Sequence, residues 1–108
     1  MKFEVRTIFS FEKEFKKLQK KYPSLKSDLL VLIAELEINP FKGTSLGKDF
    51  YKLRLGVSSK AKGKSSGARV ITCVKITKGV VYLASIYDKS DKSSITDNEL
   101  KYLAAQIG

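Results

Sequence analysis

The side chains in this chain best suited to chemistry are cations, and they are concentrated. Of 21 Lys and Arg residues, seven fall between positions 48 and 70, against one acid. Lys52 and Arg54 alternate within FYKLRL, Lys60, Lys62 and Lys64 stud the following SSKAKGKSSG, and Arg69 comes two residues later. The net charge of +10 is therefore unevenly spread, since positions 1–47 carry nine basic and six acidic residues and positions 71–108 five and four. A field this local steers polyanions to one place, and nucleic acid is the commonest such partner. A merely solubilising surface mixes both signs.

What is missing narrows the chemistry. The chain has no histidine, the usual proton carrier, and its Cys, Asp and Glu residues show no metal-ligand spacing. Both facts count against zinc hydrolysis, and no cofactor is implied. The single Cys73 lies in a Val/Ile-rich run, where a buried structural thiol is expected rather than a nucleophile. Lys, Arg, Tyr and carboxylates remain. One reaction suits that set: RNA cleavage, in which the substrate's own 2′-hydroxyl attacks the adjacent phosphorus. The enzyme then has to take up the hydroxyl proton, neutralise charge growing on the phosphoryl oxygens and protonate the departing 5′-oxygen. Crowded cations lower one another's pKa, so one lysine of a cluster can serve as base while another stays a charge clamp.

Ser58 to Gly67 has nothing able to pack in a core and is expected to be an exposed loop between strands. Its GKS triplet at Gly63 to Ser65 does not make a phosphate loop, because that motif needs glycine where Ser58 stands and a helix directly after. The loop reads either as a solvated hairpin tip or as a polyanion contact. Lys52 and Arg54 before it and Arg69 after it can converge on one sheet face, or can simply form that sheet's wet side. Tyr87-Asp88-Lys89 adds a phenol and an ammonium, with Asp88 expected to pair structurally with Lys89 or Arg69.

The elements that must position these groups follow from periodicity. Lys2 to Ile8 alternates as a strand. Ser10 reads as an N-cap, with Glu12 and Glu14 in the first turn of a helix whose stripe is Phe11, Phe15, Leu18 and Tyr22. Tyr22-Pro23 ends it. A second helix starts near Ser24, buries Leu25, Leu29, Leu32, Ile33 and Leu36, and stops at Asn39-Pro40. Phe41 to Asp49 reads as a loop, followed by a strand through Tyr51, Leu53, Leu55 and Val57. Ala68 to Thr77 and Val80 to Tyr87 read as central strands joined at Lys78-Gly79. Thr96 and Glu99 form a capping box and Ile95 and Leu100 a hydrophobic staple, opening a last helix with Leu103, Ala104 and Ile107 on its stripe. The expected fold is α+β, a small antiparallel sheet packed by an N-terminal helical hairpin and a C-terminal helix, as one domain over residues 1–108.

With 43% apolar residues and no apolar run beyond Leu29 to Ala34, the chain is expected to be a cytoplasmic protein with neither a membrane span nor a leader.

The runs YKLRL at Tyr51 to Leu55, SKAKGKSSGARVI at Ser59 to Ile71 and YLASIYDKSD at Tyr82 to Asp91 resemble the RelE/ParE toxin superfamily, and within it the HigB/RelE-like branch. The resemblance extends over essentially the whole chain. It implies a RelE-like fold and the toxin of a type II toxin–antitoxin system, an endoribonuclease that cuts messenger RNA in the ribosomal A site. A cognate antitoxin, expected to be acidic where it touches the toxin, would silence it. Carried over residue by residue, the family's basic strand corresponds to Lys52 and Arg54, its central-strand arginine to Arg69, and its turn after the last strand to Asp88-Lys89. Ser90 stands where relatives often have a further arginine, and Tyr87 or Tyr51 takes the place of a late tyrosine. The implied catalytic set is Lys52, Arg54, Arg69, Tyr87 and Lys89, with Lys60, Lys62 and Lys64 binding RNA. Two other functions fit the same fold and charge: inhibition of DNA gyrase, as in ParE-like relatives, and non-catalytic RNA binding.

Overall fold

A computed structural model of the chain describes residues 2–59 and 67–107. Five strands, β1 (Glu4–Thr7), β2 (Thr44–Gly47), β3 (Phe50–Leu55), β4 (Ala68–Lys75) and β5 (Val80–Asp88), form one sheet in the order β1-β5-β4-β3-β2. Three helices, α1 (Phe9–Lys21), α2 (Leu25–Ile38) and α3 (Asp97–Ile107), pack on it. The α+β class and the helical hairpin match the sequence reading. The sheet, however, is mixed: β1 runs parallel to β5, pairing Glu4 with Val80 and Thr7 with Leu83, while the other neighbours are antiparallel.

The central strands explain why the chain folds this way. Every residue of β4 from Ala68 to Val74 is buried, and β5 is buried apart from the half-exposed Tyr82, as strands covered on both faces must be. Gly79, between them, takes a left-handed φ of 64°, a conformation that a side chain resists. A short 3-10 turn over Ile76–Lys78 fills the connection, so β4 stops at Lys75 rather than Thr77.

Two local expectations fail for identifiable reasons. Residues 41–49 are not all loop: β2 pairs with β3 through Thr44–Lys52 and Ser45–Tyr51. The intervening turn places both Lys48 and Asp49 at positive φ, geometry normally announced by Asn or Gly, so its sequence carries no hairpin signal. Ser10 is not an N-cap. The cap position of α1 is Ile8, with no side-chain cap bond, and Glu14 falls beyond the first turn. Ser10 instead ties α1 to α3, its N–H donating to Gln106 Oε1 at 3.2 Å and its Oγ accepting from Gln106 Nε2 at 2.6 Å.

Phe11 and Leu18 of α1 and Leu25, Leu29, Leu32 and Leu36 of α2 are buried in a single core with the sheet, whereas Ile33 is half-buried and Ala104 of α3 is exposed. Each fully buried leucine contributes roughly 1.5–3 kcal/mol. The capping box forms as expected: Glu99 N–H donates to Thr96 Oγ1 at 3.1 Å and Thr96 N–H to Glu99 Oε1 at 2.9 Å.

Candidate functional site

Antiparallel register puts the expected site residues in rows. Arg54 of β3 stands opposite Arg69 of β4, and Arg69 opposite Tyr87 of β5. The neighbouring row on the same face is Lys52, Ile71 and Ser85. Directly opposed side chains have Cβ atoms about 4.5–5.5 Å apart, so each row is a contiguous band across three strands. Lys89 follows immediately after β5, its N–H donating to Gly67 O at 3.2 Å, with an exposed side chain. Gly67 itself passes so close to β3 that a Cβ there would meet Leu55 O at 2.4 Å. This approach needs glycine. Tyr51 alternates onto the opposite face and packs edge-on against Phe41 at 6.0 Å, away from the cations. Lys60, Lys62 and Lys64 lie outside the described residues.

Exposure differs sharply along the first row. Arg54 is exposed, whereas Arg69 keeps only 4% and Tyr87 6% of their surface. Arg69 therefore does not belong to a wet side of the sheet, and it and Tyr87 are enclosed on the two central strands. The Arg69 guanidinium donates from Nη1 to Ala68 O at 3.2 Å. Tyr87 Oη is buried with no hydrogen-bond partner among the described residues. Burial pushes the Tyr87 pKa up, Arg69 pulls it back and Glu99 adds to the rise, with a net increase. The phenol is thus a protonated donor at neutral pH.

The scaffold behind the row is more specific than the sequence revealed. Asp88, 2% exposed, accepts from Tyr22 Oη at 2.6 Å and from Lys21 Nζ at 3.4 Å on Oδ2. Its Oδ1 accepts from the N–H and Oγ of Ser90 at 3.0 and 2.8 Å. The expected structural role holds, with Lys21 of α1 rather than Lys89 as the lysine engaged, and Ser90 serves the carboxylate instead of the site. A second clamp holds the residues after β3. Asp28 of α2 accepts from Ser58 N–H and Oγ at 2.9 and 2.6 Å, while Ser59 N–H donates to Ser24 Oγ at 2.8 Å. Ser24 Oγ in turn donates to Asp28 Oδ2 at 2.8 Å. Burial raises the Asp28 pKa, but the bonds from Ser58 and Ser24 outweigh it and hold the carboxyl below its ordinary value.

On the other side, β5 loses its β1 neighbour after Leu83, and the register against β4 shifts between Ile71 and Thr72. Glu14 of α1 fills that gap, accepting from Ser85 Oγ at 2.9 Å and Ile86 N–H at 3.4 Å on Oε1. Burial pushes the Glu14 pKa up, the two hydrogen bonds only partly opposing it. Lys92 sits 4.8 Å from the Tyr87 ring centroid and pairs with Glu99, linking the site row to the start of α3. Glu14 was not singled out for that role from the sequence, because its partners on β5 lie in a distant element.

The family model described as the RelE toxin of the RelE / RelB toxin-antitoxin system matches residues 6–107. The chain belongs to the RelE toxin family. This RelE-family toxin is therefore the toxin half of a toxin–antitoxin pair, and an antitoxin is its partner. It is similar over 100% of both chains to an arginine double mutant of the E. coli toxin RelE in the free state, with a TM-score of 0.65 and 18% identity. It also resembles the isolated E. coli RelE toxin, with a TM-score of 0.52 and 21% identity over 95% of this chain and 97% of that one. At these identities the likeness is one of fold. Among the described residues, no helix of the toxin is long and apolar enough to cross a membrane.

Proposed function

We propose that this toxin is an endoribonuclease of the HigB/RelE-like kind that cuts messenger RNA at the ribosomal A site in the cytoplasm. The observation that carries the reading is the Arg54–Arg69–Tyr87 row, which joins an exposed cation, a buried cation and a protonated phenol on one face. Arg54 contacts the scissile phosphate, and Arg69 stabilises the charge that builds on its oxygens from a drier position where electrostatics are stronger. As the 2′-hydroxyl attacks phosphorus it gives up its proton to solvent water, the bond from phosphorus to the 5′-oxygen breaks, and Tyr87 hands its own proton to that departing oxygen. The products are a 2′,3′-cyclic phosphate and a 5′-hydroxyl. Lys52 in the adjacent row and Lys89 beyond β5 complete the cationic rim, and Lys60, Lys62 and Lys64 dock ribosomal RNA. The cognate antitoxin presents acidic side chains to this rim.

The test is induction of the toxin with and without its antitoxin, followed by mapping of message 5′ ends and end chemistry on purified ribosomes. New 5′-hydroxyl ends within ribosome-bound codons, absent when the antitoxin is present, are expected. Inhibited DNA supercoiling with intact message would move the assignment to gyrase. RNA affinity without new ends would reduce it to binding.

A further inference from the structure

Beside the row, between α1 and α3, lies a groove of about 330 Å³ that the mechanism above leaves unused. Its volume lies in the range of small-molecule sites. Ser85 and Glu14 line it, and Ser85 is two residues before Tyr87 on the same face of β5, roughly 6–7 Å along the strand. Phe9 and Tyr102, also lining the groove, are 72% and 66% exposed, so two aromatics on one groove are left largely in water. Lys13 and Lys17 stand on the same wall. Glu99 faces the groove too, but both its oxygens are engaged, by Thr96 N–H and by Lys92. Glu14 is different: Ser85 and Ile86 use only Oε1, and Oε2 has no hydrogen-bond partner among the described residues. A fixed, half-buried acceptor, exposed aromatic faces and two ammonium groups are the parts needed to hold a nucleotide by its base, its ring and its phosphate.

We propose that this groove is a nucleobase subsite, which takes an unstacked RNA base bearing an exocyclic amino group. The base stacks on Tyr102, donates an amino N–H to Glu14 Oε2, and leaves its phosphate to Lys13 and Lys17. The proposal deepens the nuclease reading and rests on it for the polymer involved. Cytosine suits the acceptor, because its 4-amino group donates where uracil presents a carbonyl oxygen that a carboxylate repels. The groove thereby biases which nucleotide lies next to the cut.

Titration of the purified toxin with cytidine 5′-monophosphate and uridine 5′-monophosphate, followed by amide chemical shifts, tests the site without requiring cleavage. The expected result is shifts centred on Ser85, Ile86 and Tyr102, with cytidylate binding at least about fivefold tighter than uridylate. Glu14→Gln should erase that preference, and Tyr102→Ala, at an exposed rim position, should weaken both nucleotides equally. Equal affinities for the two nucleotides, shifts elsewhere, or no binding at millimolar concentration would overturn the proposal, whatever the toxin does to message. Conversely, a cytidylate preference at these residues in a protein that cuts no message would uphold the subsite and remove the nuclease reading.

Discussion

Arg54 and Arg69 stand directly opposite each other on β3 and β4, two like charges where a sheet gains most from opposite ones. Like charges directly opposed cost roughly a few tenths to 1 kcal/mol where nothing offsets them, and the next residue in the same row is the phenol Tyr87. On the proposed reading the pairing serves phosphate binding rather than the sheet.

Replacing Arg54 by Ala should therefore separate activity from stability. Loss of a phosphate-contacting cation is expected to lower message cleavage by ~10²–10³. Because the residue is exposed and opposes another arginine, the melting temperature should hold or rise slightly. Arg69→Ala should lose cleavage as well, and its melting temperature should fall, since a side chain only 4% exposed leaves a space behind. Thermal melts beside a ribosome-bound cleavage assay check both; a marked drop in the melting temperature of Arg54→Ala would make that residue structural.

Tyr87→Phe should weaken the enzyme without weakening the fold. The hydroxyl removed is buried without a described partner, so its loss relieves a desolvation penalty instead of breaking a bond. Cleavage should fall by ~10²–10⁴, the usual range for a lost general acid. The raised pKa also sets a sign: a rate that needs the protonated phenol persists through neutral pH and is lost only above the ordinary tyrosine value of about 10. Unchanged cleavage by Tyr87→Phe would take the phenol out of the reaction.

How far the sequence could be read depended on the range of the interactions. Helix ends at Tyr22-Pro23 and Asn39-Pro40, the Thr96/Glu99 box and the Lys78-Gly79 turn are local, and all were legible. Strand alternation also placed Lys52 and Arg54 on one face, but it could not show that Arg69 and Tyr87 are enclosed, because burial depends on what a distant segment lays over them. For the same reason Glu14 looked like a helix-start acid, although it fills a gap beside β5 some 70 residues away, since Ser85 and Ile86 become its partners only once the sheet exists. β2 stayed hidden because Lys48-Asp49 adopts positive φ without the residues that usually signal it.

The Asp28 clamp predicts an acid-sensitive anchor for the segment after β3. Its folded pKa lies below the unfolded value, so the stabilisation is complete above the unfolded pKa of about 3.9 and drains away as pH falls through the folded one. Asp28→Asn should flatten that part of the stability–pH curve, lowering stability most at neutral pH and least in acid, where the parent has already lost the contribution. Amide exchange at Ser58 and Ser59 is the direct readout, with faster exchange expected in the variant. Identical exchange in parent and variant would mean that the four hydrogen bonds do not hold this end.

The start of α3 offers the last prediction, because Thr96, Glu99, Lys92 and Tyr87 form a continuous chain from helix cap to site. Thr96→Ala removes the side-chain cap and should cost about 0.5–2 kcal/mol, roughly 4–8 °C of melting temperature per kcal/mol. Glu99→Gln keeps much of the cap but releases the charge holding Lys92, so the ammonium is freer to leave the Tyr87 ring. Glu99 also favours the protonated phenol, and its neutralisation should let Arg69 draw the Tyr87 pKa down. The Glu99→Gln toxin should therefore show a cleavage–pH profile whose alkaline limb moves to lower pH, while Thr96→Ala changes stability and leaves that limb in place. A limb that moves equally in both variants would mean that α3 acts on the site only by folding.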